Sequence, residues 1–326
     1  MRRREFLGIL GALAALPLAT QAQPSKEQRR LGMLLPRTDP RDAEVAAGLQ
    51  RLRELGCVDG QNLRIEYRWT PGVERELLRA HAAGLVNMAP DVIWVLSNPA
   101  VAALQHATRT IPLVFVQVAD PVGSGFVESL ARPGNNTTGF TNFEGAMGGK
   151  WLEMLKELAP RTARVLVLFH PQIRAHNDFV RSMQDAAPAL EAALTLGSAR
   201  DRAEIEHAIA SFPHGPDGGV LVLPSPAVAI PRDLIIASVA QRRLPAVYPF
   251  RYYAASGGLL SYGSDATDLW RRSASYVDRI LRGEKPSELP VQAPVKFELV
   301  VNSKTAKAID FPVPLTLLAR ADEVIE

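Results

Sequence analysis

Covalent catalysis needs a nucleophile with a base beside it, or side chains at metal-ligand spacing. This sequence offers neither. Gly123-Ser124-Gly125 lacks the spacing of a Gly-x-Ser-x-Gly elbow. The six histidines contain no His-x-x-x-His pair, and no Gly-x-x-x-x-Gly-Lys or Gly-x-Gly-x-x-Gly run is present to cradle a phosphate. Cys57 stands alone, which excludes an intramolecular disulfide and a thiolate cluster and leaves it as a small hydrophobe. No catalytic residue, metal or cofactor is therefore expected.

What the residues can do is hold a small organic ion. A bound amino acid or carboxylate needs hydrogen-bond donors for its carboxylate, an anion for its ammonium and an apolar slot for its side chain. Ser97 and Asn98 precede a helix whose free N–H groups favour an anion, although both residue types also serve as plain helix caps. Ser225 occupies the matching place later in the chain, with the same two readings. Asp120, at a strand end, could pair with an ammonium or merely start the turn at Pro121. Asp265 has the same two readings, with the helix cap the stronger. Tyr248, Phe250 and Tyr262 could stack on a flat ligand or fill a core. Asn142 and Phe143 lie beside a presumed hinge, and His170 ends a strand from which it could donate to a ligand.

The elements that would position these residues repeat. Asp91 to Ala100 runs Asp-Val-Ile-Trp-Val-Leu-Ser-Asn-Pro-Ala, a buried strand breaking off at a small polar loop before a helix, and Gly218 to Ala227 runs Gly-Gly-Val-Leu-Val-Leu-Pro-Ser-Pro-Ala. Each is followed by a helix-length segment and another Pro-led apolar run, Ile111–Val118 and Leu244–Tyr248. The echo predicts two α/β halves whose strand ends face each other across a cleft. Around it the order is strand, helix, strand, helix, strand. Helices are predicted over Asp42–Leu55 and from about Glu74 to Asn87, with an alternating strand Leu63–Trp69 between them. A short helix is predicted at Phe126–Ala131, a first passage between the halves near Thr141–Phe143, and a long helix from about His176 to Ala193. A later helix from about Thr267 to Arg282 is stopped by Gly283.

The 326 residues allow two ordinary domains, and 47% hydrophobic with 22% charged residues describes a globular chain. The N-terminus differs. Arg2, Arg3 and Arg4, an apolar stretch from Leu7 to Ala19 and small residues before a cut near Ala22 read as an export signal, residues 1–22, with a twin-arginine pattern at Arg3-Arg4-x-Phe6-Leu7. The formal net charge of +3 falls to +1 once Arg2, Arg3, Arg4 and Glu5 leave with that segment, so charge indicates no nucleic-acid partner.

Several stretches together resemble one family: Gly56-Cys57-Val58-Asp59-Gly60-Gln61-Asn62 with Glu66-Tyr67-Arg68-Trp69, Arg132-Pro133-Gly134-Asn135-Asn136-Thr137-Thr138-Gly139, Gly257-Gly258-Leu259-Leu260-Ser261-Tyr262-Gly263, Gly283-Glu284-Lys285-Pro286, Lys296 to Asn302, and Ala319-Arg320-Ala321-Asp322-Glu323. They are similar, in order and over nearly the whole mature chain, to the extracytoplasmic substrate-binding proteins of ABC importers, the group with tryptophan- and tyrosine-binding members. The resemblance implies a type I periplasmic binding fold, two Rossmann-like lobes with parallel sheets joined by three crossovers. It divides the chain into residues 28–140 plus 259–287 and residues 141–258 plus 288–326. It implies a periplasmic monomer that closes on a small-molecule solute, an aromatic amino acid or related carboxylate, and delivers it to the permease subunits of an importer. A sensor of the same fold is the alternative. His170, Cys57, Tyr252 and Tyr253 stand where the family often has Asn, Tyr and an acidic loop.

Overall fold

The computed structural model describes residues 28–37, 42–213 and 215–326; the export signal expected over residues 1–22 lies outside them. Apolar runs buried on both faces form parallel strands, and the helices between them make the crossovers. The first half runs β1 (Arg29–Leu35), α1 (Ala43–Glu54), β2 (Leu63–Trp69), α2 (Arg75–Asn87), β3 (Val92–Leu96), α3 (Asn98–Ala107), β4 (Leu113–Val118) and β5 (Thr137–Thr141). These strands form one parallel sheet in the order β2-β1-β3-β4-β5.

The chain continues through α4 (Met147–Leu158), β6 (Arg164–Phe169), α5 (Arg174–Ala186), β7 (Ala193–Ser198), α6 (Arg202–Ser211), β8 (Gly218–Val222), α7 (Pro226–Ala229) and α8 (Arg232–Gln241). Then come β9 (Ala246–Tyr248), α9 (Arg251–Ala255), β10 (Leu260–Ser264), α10 (Ala266–Leu281), β11 (Phe297–Asn302), α11 (Ser303–Ala308), α12 (Leu315–Arg320) and β12 (Glu323–Ile325). The second sheet has the order β12-β11-β10-β9-β8-β6-β7, parallel except where β10 meets β11. Two local expectations change. The helix expected to reach Ala193 ends at Ala186, and a turn with Glu191 at φ 48° leads into β7. Phe126–Ala131 is an irregular run of bends in which the Phe126 carbonyl accepts from Gln105 and Asn135.

Each sheet has its own core. Leu31, Met33, Trp94 and Val116 pack with α10 on one face of the first sheet, and Phe143, Trp151, Phe179, Leu221 and Tyr253 belong to the second core. The chain leaves the first core after Phe140 and enters the second at Phe143. Its return departs from expectation. Leu260–Ser264 pairs with β9 and β11 in the second sheet, so the first lobe regains the chain at Asp265 rather than Leu259. Apolarity alone could not assign this strand, because Leu259 and Leu260 would be buried equally in either lobe. The last passage also comes later than residue 288: Leu289 and Val291 are buried in the first lobe, and the Gln292 carbonyl accepts from Thr141 N–H at 2.9 Å.

Close helix contacts hold the lobes' interiors. In the first lobe α1 lies on α10, where a Cβ on Gly48 would stand 2.7 Å from the Trp94 ring. In the second, a Cβ on Gly148 would stand 2.0 Å from the Phe179 carbonyl oxygen, so α4 and α5 approach at a spacing only glycine permits. At the second and third passages Asp265 caps α10 through Asp268 N–H at 3.0 Å and accepts from Lys296 Nζ at 3.1 Å. Asp265 N–H donates to the Lys296 carbonyl, so two of the three connections are tied side by side.

Candidate functional site

Between the lobes lies a cavity of about 310 Å³, walled by the loops behind β1, β3 and β4 on one side and by those behind β6, β8 and β9 on the other. Ligands of parallel sheets bind at these carboxyl ends of strands. Ser97 and Ser225, the two serines of the sequence echo, face each other here from opposite lobes, joined by Asn142 from the first connection. All three are buried, and Ser97 Oγ, Ser225 Oγ and Asn142 Oδ1 have no hydrogen-bond partner among the described residues. Neither serine side chain caps the helix that follows it. A buried polar atom without a partner costs free energy, so these three, on residues that line one cavity from both lobes and the connection between them, are candidates for bonds to a ligand.

Ser97 carries a second cost. Its backbone sits at φ 79°, ψ 156°, a region that glycine alone visits freely. Ser97 stands at the N-terminus of α3, a helix with Pro99 in its first turn whose leading residues line the cavity. Asn98 lines the cavity too, but its amide is committed: Nδ2 donates to the Ala119 carbonyl at 2.7 Å and Oδ1 accepts from Ala119 N–H at 3.0 Å. It anchors the loop behind β4 against α3.

A charged cluster that the sequence reading missed forms the first-lobe floor. Arg37, behind β1, pairs with Asp42 and with Glu44 Oε2 at 2.6 Å, and Gln117 Nε2 donates to the same Glu44 oxygen at 2.8 Å. Gln117 reaches it because β4 bulges there: the pairing with β5 shifts register between Val116 and Val118, and Gln117 takes φ 54°. Burial alone would lower the Arg37 pKa, but Glu44 and Asp42 outweigh it and hold the guanidinium charged. Burial pushes the Glu44 carboxyl above its ordinary range, against the pull of Arg37. From the other lobe Tyr252, stacked on Phe250, places its ring 5.8 Å from Arg37 Cζ and 5.9 Å from Arg232 Cζ. Two guanidiniums from opposite lobes therefore share one aromatic ring.

The profile of the ABC transporter substrate binding protein family matches residues 37–325. The chain belongs to that family. Among its relatives, a tyrosine-binding protein of Clostridioides difficile (strain R20291) is 26% identical over 288 residues, covering 88% of this chain and 82% of that one. A conserved domain protein from Vibrio cholerae superposes with a TM-score of 0.85 at 27% identity, covering 91% of this chain and all of the other. A Streptococcus pneumoniae ABC domain in complex with L-Trp superposes at 0.82, and the ligand-free, open structure of a substrate-binding protein with adhesive properties from Clostridium difficile at 0.65, both 22% identical over 91% of this chain.

In this substrate-binding protein the other residues singled out from sequence, Phe250 excepted, lie away from the cavity lining. Asp120, at φ 41°, closes its own turn by accepting from Gly123 N–H at 2.9 Å. Phe143 is core, edge-on to Trp151 with ring centres 5.0 Å apart. Tyr248 is buried against Tyr253, Tyr262 stacks on Phe297, and Asp265 serves the paired connections. His170 lines a neighbouring cavity instead. Its backbone N–H donates to His176 Nδ1 at 2.9 Å, and the opposite ring nitrogen of His176 lies 3.1 Å from the Pro224 carbonyl oxygen. The first bond makes Nδ1 an acceptor, so Nε2 carries the proton and donates to Pro224, which pins the loop bearing Ser225. Burial depresses the His176 pKa to about 3 and keeps the ring neutral. Among the described residues no group of three or more His, Cys, Asp or Glu is arranged to hold a metal ion.

Proposed function

We propose that this protein, exported to the periplasm, binds one small zwitterionic or carboxylate solute in the cavity between its lobes and hands it to an importer's permease subunits. The observation that carries the reading is that Ser97, Ser225 and Asn142 line one cavity while Ser97 Oγ, Ser225 Oγ and Asn142 Oδ1 lack partners among the described residues. The two hydroxyls and the α3 N-terminus would bind a carboxylate, while Glu44 and Asp42 beside Arg37 would receive an ammonium. Phe250, Tyr252, Ile173 and Ile230 supply an apolar and aromatic wall for the side chain. A volume of about 310 Å³ is at the lower end of small-molecule sites, which favours a single amino acid over an oligomer.

An aromatic amino acid is the solute class we favour. The named ligands of the relatives support it, as does the stacked Phe250–Tyr252 pair. The closer superposition on the L-Trp complex than on the open, ligand-free neighbour supports reading this arrangement as the closed form. Solute would bias the lobes toward closure only through contacts made to both at once, as Ser97 and Ser225 would make. A thermal-shift screen of amino acids and aromatic acids tests the proposal: tyrosine, tryptophan or a related acid should raise Tm, and a shift by sugars alone would overturn it.

A further inference from the structure

Beside the solute cavity, and sharing Asn98, Pro99 and Ile173 with it, lies a second interlobe cavity of about 390 Å³. The titratable groups that line it are all basic. Arg75 and Arg79 come from α2 and His106 from α3 of the first lobe, Arg174 and His170 come from the second, and no carboxylate is among the described residues that line it. Arg79 is held from the outside by Glu76 at 3.2 Å, whereas Arg75 and Arg174 have no side-chain partner among the described residues. The three arginines are exposed, so their mutual repulsion across the cleft is screened, and an anion between the lobes would relieve what remains.

Two further features have the same polarity. His170 is only 6% exposed, and its Nδ1 accepts from Gln172 N–H at 3.3 Å. The proton of the neutral ring therefore rides on Nε2, which has no partner among the described residues and can only donate. Next to it α5 begins at Arg174 with no side chain capping its first turn, since the preceding residue is Ile173. Arginines, a histidine N–H donor and an uncapped helix N-terminus share one preferred ligand, an oxyanion.

We propose that this second cavity binds a small oxyanion, a phosphate or polycarboxylate group, between Arg75 and Arg79 of one lobe and Arg174 and His170 of the other. Bound there, the anion bridges the lobes and favours the closed form, so it tightens solute binding without touching the solute. The idea extends the proposed function but makes a claim that stands without it, because anion binding is measurable with no solute present.

Inorganic phosphate, titrated at constant ionic strength against a chloride control, is the probe. At about ten times its Kd it should raise the Tm of the solute-free protein by about 2–4 °C, and the Arg75→Gln/Arg174→Gln double variant should lose that rise. In the wild-type protein the same phosphate should lower the Kd of whichever solute the screen identifies, and the double variant should bind that solute with its phosphate-free affinity at every phosphate concentration. Equal shifts from phosphate and chloride, or an undiminished phosphate shift in the double variant, would overturn the site. Phosphate competing with the solute would overturn the bridging role. Failure of every amino acid to bind while phosphate still raises Tm would refute the solute reading and leave this site standing.

Discussion

Ser97 carries two separable costs, and replacing it in two ways tells them apart. Its φ of 79° with ψ 156° is a conformation that costs a non-glycine residue about 1–3 kcal/mol. Its hydroxyl is buried with no partner, a further cost of up to about 1–3 kcal/mol in the unliganded protein. Ser97→Gly removes both, offset by about 0.5–1 kcal/mol for glycine's freedom in the unfolded chain. A net stabilisation of about 1–5 kcal/mol is expected in urea unfolding of the solute-free protein. Ser97→Ala keeps the strain and loses only the stranded hydroxyl, so its stability should stay level or rise by less. Both variants lack the hydrogen bond to solute and should bind about tenfold more weakly by calorimetry, the equivalent of about 1–1.5 kcal/mol. An ordinary helix cap would instead lose about 0.5–2 kcal/mol of stability in Ser97→Ala and keep its affinity in both variants. That result, or stabilisation without loss of affinity, would refute the assignment of Ser97 to the solute.

Three other outcomes follow from the packing and the hydrogen bonds. Asp120→Ala should lower stability by about 0.5–1.5 kcal/mol through loss of its bond to Gly123 N–H and leave solute affinity unchanged; a tenfold weaker Kd would return Asp120 to the site. Gly148→Ala must part α4 from α5 and should cost about 3 kcal/mol or more, whereas an unchanged denaturation midpoint would mean the helices are farther apart than described here. The depressed His176 pKa makes the unfolded chain the stronger proton binder between its ordinary value of 6.5 and about 3. Stability should therefore be full above pH 6.5 and fall by up to about 1.4 kcal/mol per pH unit below it, with a shallower slope in His176→Gln. Equal slopes in the two proteins would place the acid sensitivity elsewhere.

Much of the architecture was legible because it repeats. The strand-loop-helix echo at Asp91–Ala100 and Gly218–Ala227 carried both the two-lobe reading and the two serines that meet in the cavity. Arg37, Glu44, Gln117 and Tyr252 were not legible. Arg37 and Glu44 lie close in sequence, but Gln117 and Tyr252 reach them only through the bulge at Gln117 and the approach of the two lobes, neither of which leaves a periodic signal. Aromatic residues at strand ends divided for a related reason. Phe250 and Tyr248 are two residues apart, but one lines the cavity and the other stacks on Tyr253 in the core. Strand β7 was missed because its alternation is weak: Ala193, Thr195 and Leu196 are all exposed along the sheet edge.

The central mechanical statement is that two lobes close on a solute held between Ser97 and Ser225. Small-angle X-ray scattering of the purified mature protein, with and without saturating solute, tests it directly. The radius of gyration should fall on addition, and the scattering profile of the loaded protein should match the arrangement described here better than that of the free protein does. Identical profiles in the two conditions, at a solute concentration shown by calorimetry to fill the site, would contradict it.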